Sequence, residues 1–357
     1  MKANIFYLTL TVYAMTLFTG CKKDKPDEAT APDLKENTAI VLNEGGWGNN
    51  EAEISVIDLD SKTITNNYFS ISNARGLGDV AQDAVAYGSK LYVAVWGSNT
   101  IEAIDRTSGT STQIYLGNRG PRYIAYDRGK LYVSCYEPAS VIRIDTATLN
   151  VEATCQLSGL RPEGLCIAAG KLFVLNSWKP DTQGNPLRDS TMSVVDLATF
   201  TEKSKITGGL NPQKIKQLDD YHVAISYSGD YEEVPGGLAI VNTNNMSIRR
   251  ISTNTPNIDT YNGKIYYYVH TYGQAWNGTI NILDGATMQV SSLTVSETEG
   301  FSAQYYPYAI NVSPKNGNIY ISGAQYGANG DIYCFSPSGT LEWKLEAGPL
   351  PSKILEL

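Results

Sequence analysis

The chain has 357 residues, of which 28 are Lys or Arg and 36 are Asp or Glu, so its formal net charge is −8. This acidic balance argues against nucleic acid as a partner, because binding to a polyanion requires a basic face. The length alone would allow two domains, but strand-like units that recur along the chain favour one large all-β domain.

The N-terminus has the pattern of a bacterial export signal. Lys2 precedes an apolar stretch, Ile5–Phe18, that is too short to span a membrane as a helix. The sequence Leu17-Phe18-Thr19-Gly20-Cys21 resembles a lipobox, which implies cleavage before Cys21 and lipidation of its thiol. The alternative is an ordinary secretory signal followed by an incidental cysteine. We predict a signal peptide over residues 1–20 and membrane anchoring through lipid alone.

Residues 22–38 are rich in Lys, Asp, Glu, Pro and Ala and have too little apolar content to order themselves. We predict a flexible tether over residues 21–38 and a folded domain over residues 39–357. Charge directly after a lipidated cysteine resembles the tethers of surface-exported Bacteroidetes lipoproteins. That resemblance implies the outer membrane and the cell surface, with the periplasmic side as the alternative.

The rest of the chain repeats one unit seven times: an inner strand, a tight turn, an apolar-aromatic second strand, a loop, a third strand and an outer strand. The third strand ends on a short polar residue, at Asp58, Asp105, Asp145, Asp196, Asn242, Asp284 and Ser336. These positions recur at intervals of 40 to 52 residues. Such a period is typical of propeller blades, so the sequence predicts an all-β, seven-bladed β-propeller.

Blade 1 lacks an inner strand at its N-terminal side. Its second, third and outer strands are predicted at Ala39–Asn43, Ile54–Asp58 and Thr63–Ser70, and Pro351–Leu355 is predicted to supply the inner strand. This pairing would close the ring and remove its free edges. The other six blades are predicted at Gln82–Leu116, Arg122–Leu157, Glu163–Thr207, Gln213–Ser252, Asn257–Val295 and Tyr308–Ala347.

Two sets of residues meet at one opening of the predicted channel, which we call the mouth. The loops between second and third strands all carry aromatic residues, predicted to contact a ligand: Trp47, Trp96, Tyr136, Trp178, Tyr227, Tyr272, Trp276 and Tyr326. Polar residues enter the inner strands, and four of them are predicted ligand contacts: Gln82, Arg122, Glu163 and Gln213. An aromatic rim around polar groups suits a large amphipathic ligand. The alternative is that the aromatic residues cap the blades structurally.

Catalytic signals are weak, and we predict that the chain is not an enzyme, with no catalytic residues, no metal site and no catalytic cofactor. His222 lies in a second strand and is expected in the core, whereas His270 lies at a loop edge near the mouth. The carboxylates Glu44, Glu137, Glu163 and Asp230 are candidates to face the channel. The blade-4 insertion with Asp181, Asn185 and Asp189 has the oxygen ligands of a cation site but not the spacing. A disulfide between Cys155 and Cys166 is possible but not favoured.

The repeated Lys-Leu-Tyr-Val strands at Lys90–Val93 and Lys130–Val133, with their Ile-Asp closures, resemble YncE-like propellers, some of which are surface-layer proteins. With the lipobox, the opening Asn43–Gly48 resembles more narrowly the BtuG-type surface lipoproteins of gut Bacteroidetes. This resemblance implies capture of cobalamin and its transfer to a TonB-dependent outer-membrane transporter, by a domain expected to be monomeric. Cobalamin would then be cargo rather than a catalytic cofactor.

Three hypotheses follow. The first is a corrinoid-binding surface lipoprotein. The second is a structural or adhesive surface-layer propeller that binds protein or glycan. The third is a lyase or hydrolase that uses His270 and channel carboxylates, for which activity would have to fall on His270→Ala.

Overall fold

The computed structural model describes residues 32–255, 257–271 and 273–357. These residues form seven antiparallel sheets of four strands each, and blade 4 carries one additional short strand at Pro186–Arg188. The prediction of a seven-bladed β-propeller is confirmed. None of the helices formed by the described residues could span a membrane.

Every blade has the same strand order from the channel outward. From blade 1 to blade 7, the inner strands are Pro351–Glu356, Ala81–Tyr87, Pro121–Asp127, Leu160–Ala168, Pro212–Asp219, Ile258–Tyr261 and Tyr306–Val312. The second strands are Thr38–Asn43, Lys90–Val95, Lys130–Cys135, Lys171–Pro180, His222–Tyr227, Lys264–Tyr268 and Ile319–Ala324. The third strands are Glu53–Asp58, Thr100–Asp105, Ser140–Asp145, Thr191–Asp196, Gly237–Asn242, Thr279–Asp284 and Asn329–Phe335. The outer strands are Thr63–Thr65, Ser111–Tyr115, Val151–Gln156, Thr201–Thr207, Ile248–Ser252, Val290–Thr294 and Leu341–Pro349.

The C-terminal strand closes the ring as predicted. Pro351–Glu356 pairs antiparallel with Thr38–Asn43, so that Ile354 lies opposite Val41. The backbone N–H of Ile354 also donates to Asn311 Oδ1 of blade 7 at 2.9 Å. Two neighbouring blades are therefore joined through one strand, and no inner edge is left unpaired there.

The polar residue that ends each third strand stabilises the turn after it. Asp105 Oδ1 accepts the backbone N–H groups of Thr107 and Ser108 at 3.0 and 2.9 Å. These hydrogen bonds lower the pKa of Asp105. Asp284 makes the same bonds in blade 6. The repeat of Asp along the chain therefore reflects a repeated Asx turn.

The core lies between blades. Side chains of one strand alternate between two neighbouring sheets, because successive residues point to opposite faces. In blade 2, Leu91 and Val93 pack in the cluster shared with blade 1, whereas Tyr92 and Ala94 pack in the cluster shared with blade 3. Second strands are therefore buried on both faces, which explains their near-continuous apolar sequence.

Two predicted boundaries are wrong. The outer strand of blade 1 ends at Thr65, and Tyr68–Asn73 forms a short α-helix instead of continuing as strand to Ser70. The buried carboxylate of Glu53 accepts the backbone N–H of Phe69 at 2.8 Å and holds this helix start. The folded domain also begins before Ala39, since Leu34 is buried and its N–H donates to Arg106 O at 2.9 Å. The predicted signal peptide and Cys21 lie outside the described residues.

Candidate ligand-binding mouth

A cavity of about 600 Å³ opens at the mouth. Its lining combines both sets of residues expected there, an aromatic rim and polar groups at the starts of inner strands. The lining includes polar, charged and aromatic residues of several blades: Glu44, Trp47, Gln82, Trp96, Arg122, Tyr123, Gln213, Lys214, Asn257, His270, Tyr306, Tyr308, Tyr326 and Ser352. The structure thus brings together groups from loops and strands that are far apart in sequence.

β-Bulges aim the polar residues at the mouth. The pairing of inner and second strands shifts register between Ala81 and Asp83, and again between Pro121 and Ile124 and between Pro212 and Lys214. A bulge places two successive residues on nearly the same side of a strand, where regular alternation would separate them. Arg122 and Tyr123 therefore both line the cavity, as do Gln213 and Lys214.

Arg122 is the centre of a buried polar network. Its Nη2 and Nε lie 3.0 and 3.2 Å from Glu163 Oε2, and Nη1 donates to Gln82 Oε1. The hydroxyl of Tyr136 donates to the other oxygen of Glu163. Burial by itself lowers the pKa of Arg122, but Glu163 and the surrounding tyrosines more than offset it, so the pKa is raised and the guanidinium stays charged.

An aromatic row runs over this network. The guanidinium of Arg122 lies 4.7 Å from the ring centroid of Tyr136 and 5.6 Å from that of Trp96. The ring of Trp96 is 6.2 Å from that of Trp47, which is 73% exposed. The row therefore ends in an indole whose faces are available to a ligand.

The loop that carries Trp47 is held in place by backbone hydrogen bonds. Gly48 N–H donates to both oxygens of Asp79 at 3.0 Å, and Gly46 N–H donates to Glu51 Oε1 at 2.8 Å. Gly45 has a φ of +75° and packs so closely on Ala52 that a Cβ would lie 2.7 Å from its nitrogen. The Glu-Gly-Gly-Trp-Gly sequence therefore specifies a loop that only glycine can form.

The opposite side of the cavity, in blades 6 and 7, is also aromatic. His270 stacks on Tyr306 with ring centroids 5.6 Å apart, and its Nε2 lies 2.9 Å from Gln274 O. The hydroxyl of Tyr308 donates to Glu44 Oε2 at 2.7 Å. Burial raises the pKa of Glu44, and the bond from Tyr308 opposes that shift without cancelling it.

The eleven predicted contact residues that the structure describes fall into three groups. Six line the cavity, and they are Trp47, Trp96, Tyr326, Gln82, Arg122 and Gln213. Tyr136 and Glu163 lie behind them and reach the cavity through Arg122. Tyr272 lies outside the described residues. The remaining three lie elsewhere in the fold.

Trp276 and Tyr227 are core residues, so the expectation that they face the mouth is wrong. Trp276 is 3% exposed and packs on Phe301 with ring centroids 5.1 Å apart. Tyr227 is 8% exposed, and its ring lies so close to Gly209 and Gly237 that a Cβ at either would clash. The indole of Trp276 and the phenol of Tyr227 fill space at the ends of strands. For these two residues the alternative holds that the loop aromatics cap the blades.

Trp178 lies outside the mouth cavity, in a separate row of side chains at the surface. Arg161 and Arg188 lie 5.0 and 4.5 Å from the ring centroid of Trp178. Arg188 also lies 5.5 Å from the ring centroid of Tyr231, which is 69% exposed. We call these four residues the Trp178 row.

Three residues that line the mouth were not predicted as ligand contacts: Tyr123, Lys214 and Tyr306. The signal that would have found Tyr123 and Lys214 is the bulge, since each follows a predicted contact residue directly. Glu44 and His270, which the sequence placed near the channel, do line the cavity.

Other chemistry of the described residues is limited. Cys135, Cys155, Cys166 and Cys334 are free and buried. Burial raises the pKa of Cys166 to about 12, so its thiol stays protonated. Across residues 32–255, 257–271 and 273–357, no group of three His, Cys, Asp or Glu residues is arranged to hold a metal ion. In the blade-4 insertion, both carboxylate oxygens of Asp181 bond within its own turn.

The strand order, the ring closure and the mouth cavity define the class of protein as a seven-bladed β-propeller. No family model and no curated protein matches the chain. Many solved structures are similar to it, and three of them show the level of likeness. A hypothetical selenium-binding protein from Sulfolobus tokodaii has a TM-score of 0.67 at 14% identity, covering 91% of this chain and 94% of that one.

A protein from Lactobacillus plantarum has a TM-score of 0.62 at 13% identity, covering 90% of this chain and 100% of that one. A quinonprotein alcohol dehydrogenase-like protein from Bacteroides thetaiotaomicron has a TM-score of 0.60 at 13% identity, covering 90% and 78%. Likenesses at this level of identity establish the propeller fold and leave function to be argued from the site.

Proposed function

We propose that this chain is a surface-exposed lipoprotein that captures a large amphipathic ligand, a corrinoid such as cobalamin, and passes it to a TonB-dependent outer-membrane transporter. The observation that carries the proposal is the mouth cavity, where exposed aromatic rings surround fixed polar groups. The corrinoid, the outer-membrane surface and the transporter come from the resemblance of the lipobox and of Asn43–Gly48 to BtuG-type lipoproteins.

The size of the ligand follows from the free energies involved. Seven Trp and Tyr side chains line the cavity, and five of them are considered as ligand contacts: Trp47, Trp96, Tyr306, Tyr308 and Tyr326. If each lost about 100 Å² to a ligand, at about 25 cal/mol per Å², the protein side would contribute about 12 kcal/mol. Association costs about 4–15 kcal/mol, so the surplus must come from the ligand's own buried area. A large, partly apolar ligand with polar edges meets this condition.

Pre-organisation supports the same proposal. The Arg122 network and the Trp47 loop make their hydrogen bonds within the protein itself, so a ligand does not have to order them. Groups that are already fixed cost less conformational entropy on binding. The side-chain amide of Gln213 is fixed in the same way, since its Nε2 donates to Asn211 Oδ1 at 2.8 Å.

We propose binding rather than catalysis, with no catalytic cofactor and with a monomeric domain. Two carboxylates at or directly behind the mouth are engaged in structural contacts: Glu163 with Arg122 and Tyr136, and Glu44 with Tyr308. A general base needs a free lone pair within reach of a nucleophile. His270 instead stacks on Tyr306, an arrangement that suits a wall of a binding site.

One observation favours the second candidate, an adhesive or surface-layer propeller. The Trp178 row presents two arginines and two aromatic rings outside the cavity. Trp, Tyr and Arg are enriched where proteins bind other macromolecules. A protein or glycan partner would use this row, whereas a corrinoid would use the mouth.

A matched pair of variants tests the proposal. Trp96 and Trp178 are both half-buried and both contact arginine, but only Trp96 lines the mouth cavity. Calorimetric titration with cyanocobalamin should show one-to-one binding to the wild type, with Trp96→Ala weakening it and Trp178→Ala leaving it unchanged. Absence of binding to the wild type at tens of micromolar would reject the corrinoid. Loss on Trp178→Ala alone would move the site to the Trp178 row.

A further inference from the structure

A second cavity, of about 530 Å³, continues from the mouth into the channel, and we call it the channel cavity. Both cavities share four residues in their walls: Tyr123, Lys214, Asn257 and Ser352. Three lysines line the channel cavity, two of them on alternate positions of the blade-5 inner strand and one on the blade-1 inner strand: Lys214, Lys216 and Lys353.

Two of these lysines are matched by carboxylates. Lys353 Nζ lies 2.6 Å from Asp83 Oδ1, and Lys216 Nζ lies 3.0 Å from Asp259 Oδ1. Each carboxylate also accepts a backbone N–H from the next blade, Ile124 at 3.0 Å for Asp83 and Val312 at 2.9 Å for Asp259. Asp83 and Asp259 are therefore fixed and neutralised, and they link neighbouring blades.

Lys214 does not form an ion pair of this kind. Among the residues that the structure describes, no carboxylate lies within ion-pair distance of its Nζ, which donates a hydrogen bond to Tyr123 Oη at 2.9 Å. The tyrosine hydroxyl is a neutral partner that leaves the positive charge of the ammonium uncompensated. Two acidic groups influence Lys214 from beyond ion-pair distance. Asp83 is paired with Lys353, and Glu44 bonds to Tyr308 while burial raises its pKa.

An uncompensated ammonium inside a protein is costly unless something supplies the opposite charge. Lys214 also faces both cavities, so a solute can reach it from either side. We propose that Lys214 and the hydroxyl of Tyr123 form an oxyanion-binding site in the channel, which takes a phosphate or carboxylate group. The group belongs either to a free anion in the channel cavity or to an anionic part of the ligand held at the mouth.

The chemistry of the pair fits an oxyanion. The ammonium has three N–H donors, of which one is used on Tyr123. The hydroxyl of Tyr123 accepts from Lys214 and keeps its own proton for a second oxygen. A charge-assisted hydrogen bond from Lys214 and a neutral one from Tyr123 would then hold two oxygens of one group.

The test is calorimetric titration of the full chain, purified in mild detergent, with sodium phosphate at constant ionic strength. Wild type should bind one phosphate, and Lys214→Met should weaken binding by about tenfold or more, since it removes the charge at similar length. Lys179→Met is the control, because Lys179 is exposed and lines neither cavity. Equal affinity of wild type and Lys214→Met, or no binding of phosphate or acetate by wild type at tens of millimolar, would overturn the site.

If Lys214→Met melts too early to be titrated, Tyr123→Phe provides the same test, since it keeps the ring and the ammonium. Phosphate affinity should fall several-fold, and unchanged affinity would count against the site. A second titration, with cyanocobalamin in the presence and absence of saturating phosphate, identifies the source of the anion. Competition assigns the site to an anionic part of the mouth ligand, and independent binding assigns it to a free anion. Phosphate binding without any cyanocobalamin binding would uphold this site while rejecting the proposed corrinoid.

Discussion

Ring closure by the C-terminal strand makes Ile354 a sensitive probe of the whole fold. Its side chain is 4% exposed and packs in a cluster with Val41 of blade 1 and with Tyr320 and Ile332 of blade 7. Ile354→Ala removes three carbon atoms at about 0.8 kcal/mol each, and the cavity left behind adds to that loss. We expect the free energy of unfolding to fall by about 3–4 kcal/mol.

The assay is urea unfolding followed by tryptophan fluorescence, with Ile71→Ala as the control. Ile71 is 37% exposed on the short helix, so the same substitution there should change stability by no more than about 0.5 kcal/mol. A chain that ends at Pro349 should aggregate, because it exposes the edge of Thr38–Asn43. If Ile354→Ala cost no more than Ile71→Ala, the C-terminal strand would not be part of the closed ring.

Three further predictions concern the mouth and its surroundings. Arg122→Met should lower the free energy of unfolding in urea by about 3–5 kcal/mol, because it leaves the buried Glu163 carboxylate without its ion-pair partner. Adding Glu163→Gln should restore part of the lost stability. If the double variant regains no stability, Arg122 and Glu163 are not a direct pair. Since the pKa of Glu44 is raised above its ordinary 4.5, the folded state holds this proton more tightly than the unfolded chain, and Glu44 costs stability as pH rises. Glu44→Gln should therefore raise the melting temperature at neutral pH but not below pH 4.5, and an equal gain at both would contradict the assignment. Trp276→Ala should lower the free energy of unfolding in urea by about 3–5 kcal/mol, because Trp276 is a core residue and not a ligand contact. A variant as stable as the wild type would show that Trp276 is not packed in the core.

The fold could be predicted from the sequence because each blade is built from local signals. Asp at the end of the third strand fixes a turn through its own side chain, and the apolar-aromatic second strand must be buried on both faces. The missing strand of blade 1 was found by its resemblance to the other inner strands. By contrast, the helix at Tyr68–Asn73 depends on Glu53, which is distant in sequence, so no local pattern reveals it.

The site was predictable by position but not by orientation. The polar residues after the bulges, such as Gln82 and Gln213, line the cavity as expected. Trp276 comes from a loop of the same kind as the one carrying Trp47, yet it folds back onto Phe301 while Trp47 points outward. The position of the loop can be predicted from the sequence, but the direction of the aromatic ring cannot, because that direction depends on packing partners from other segments. Lys214 was missed for a related reason, since strict strand alternation would turn it away from the mouth.

Trp47 gives the most direct test of the central claim that the mouth binds a corrinoid. Its ring is 73% exposed, so Trp47→Ala should leave stability unchanged, and any loss of affinity must come from the ligand contact. Tyr115, which is 69% exposed on an outer strand, supplies the control. In calorimetric titration with cyanocobalamin, we predict sub-micromolar one-to-one binding by wild type and Tyr115→Ala, and an affinity lower by about 1–3 kcal/mol for Trp47→Ala. Binding that is the same in all three proteins, or absent from all three, would contradict the claim.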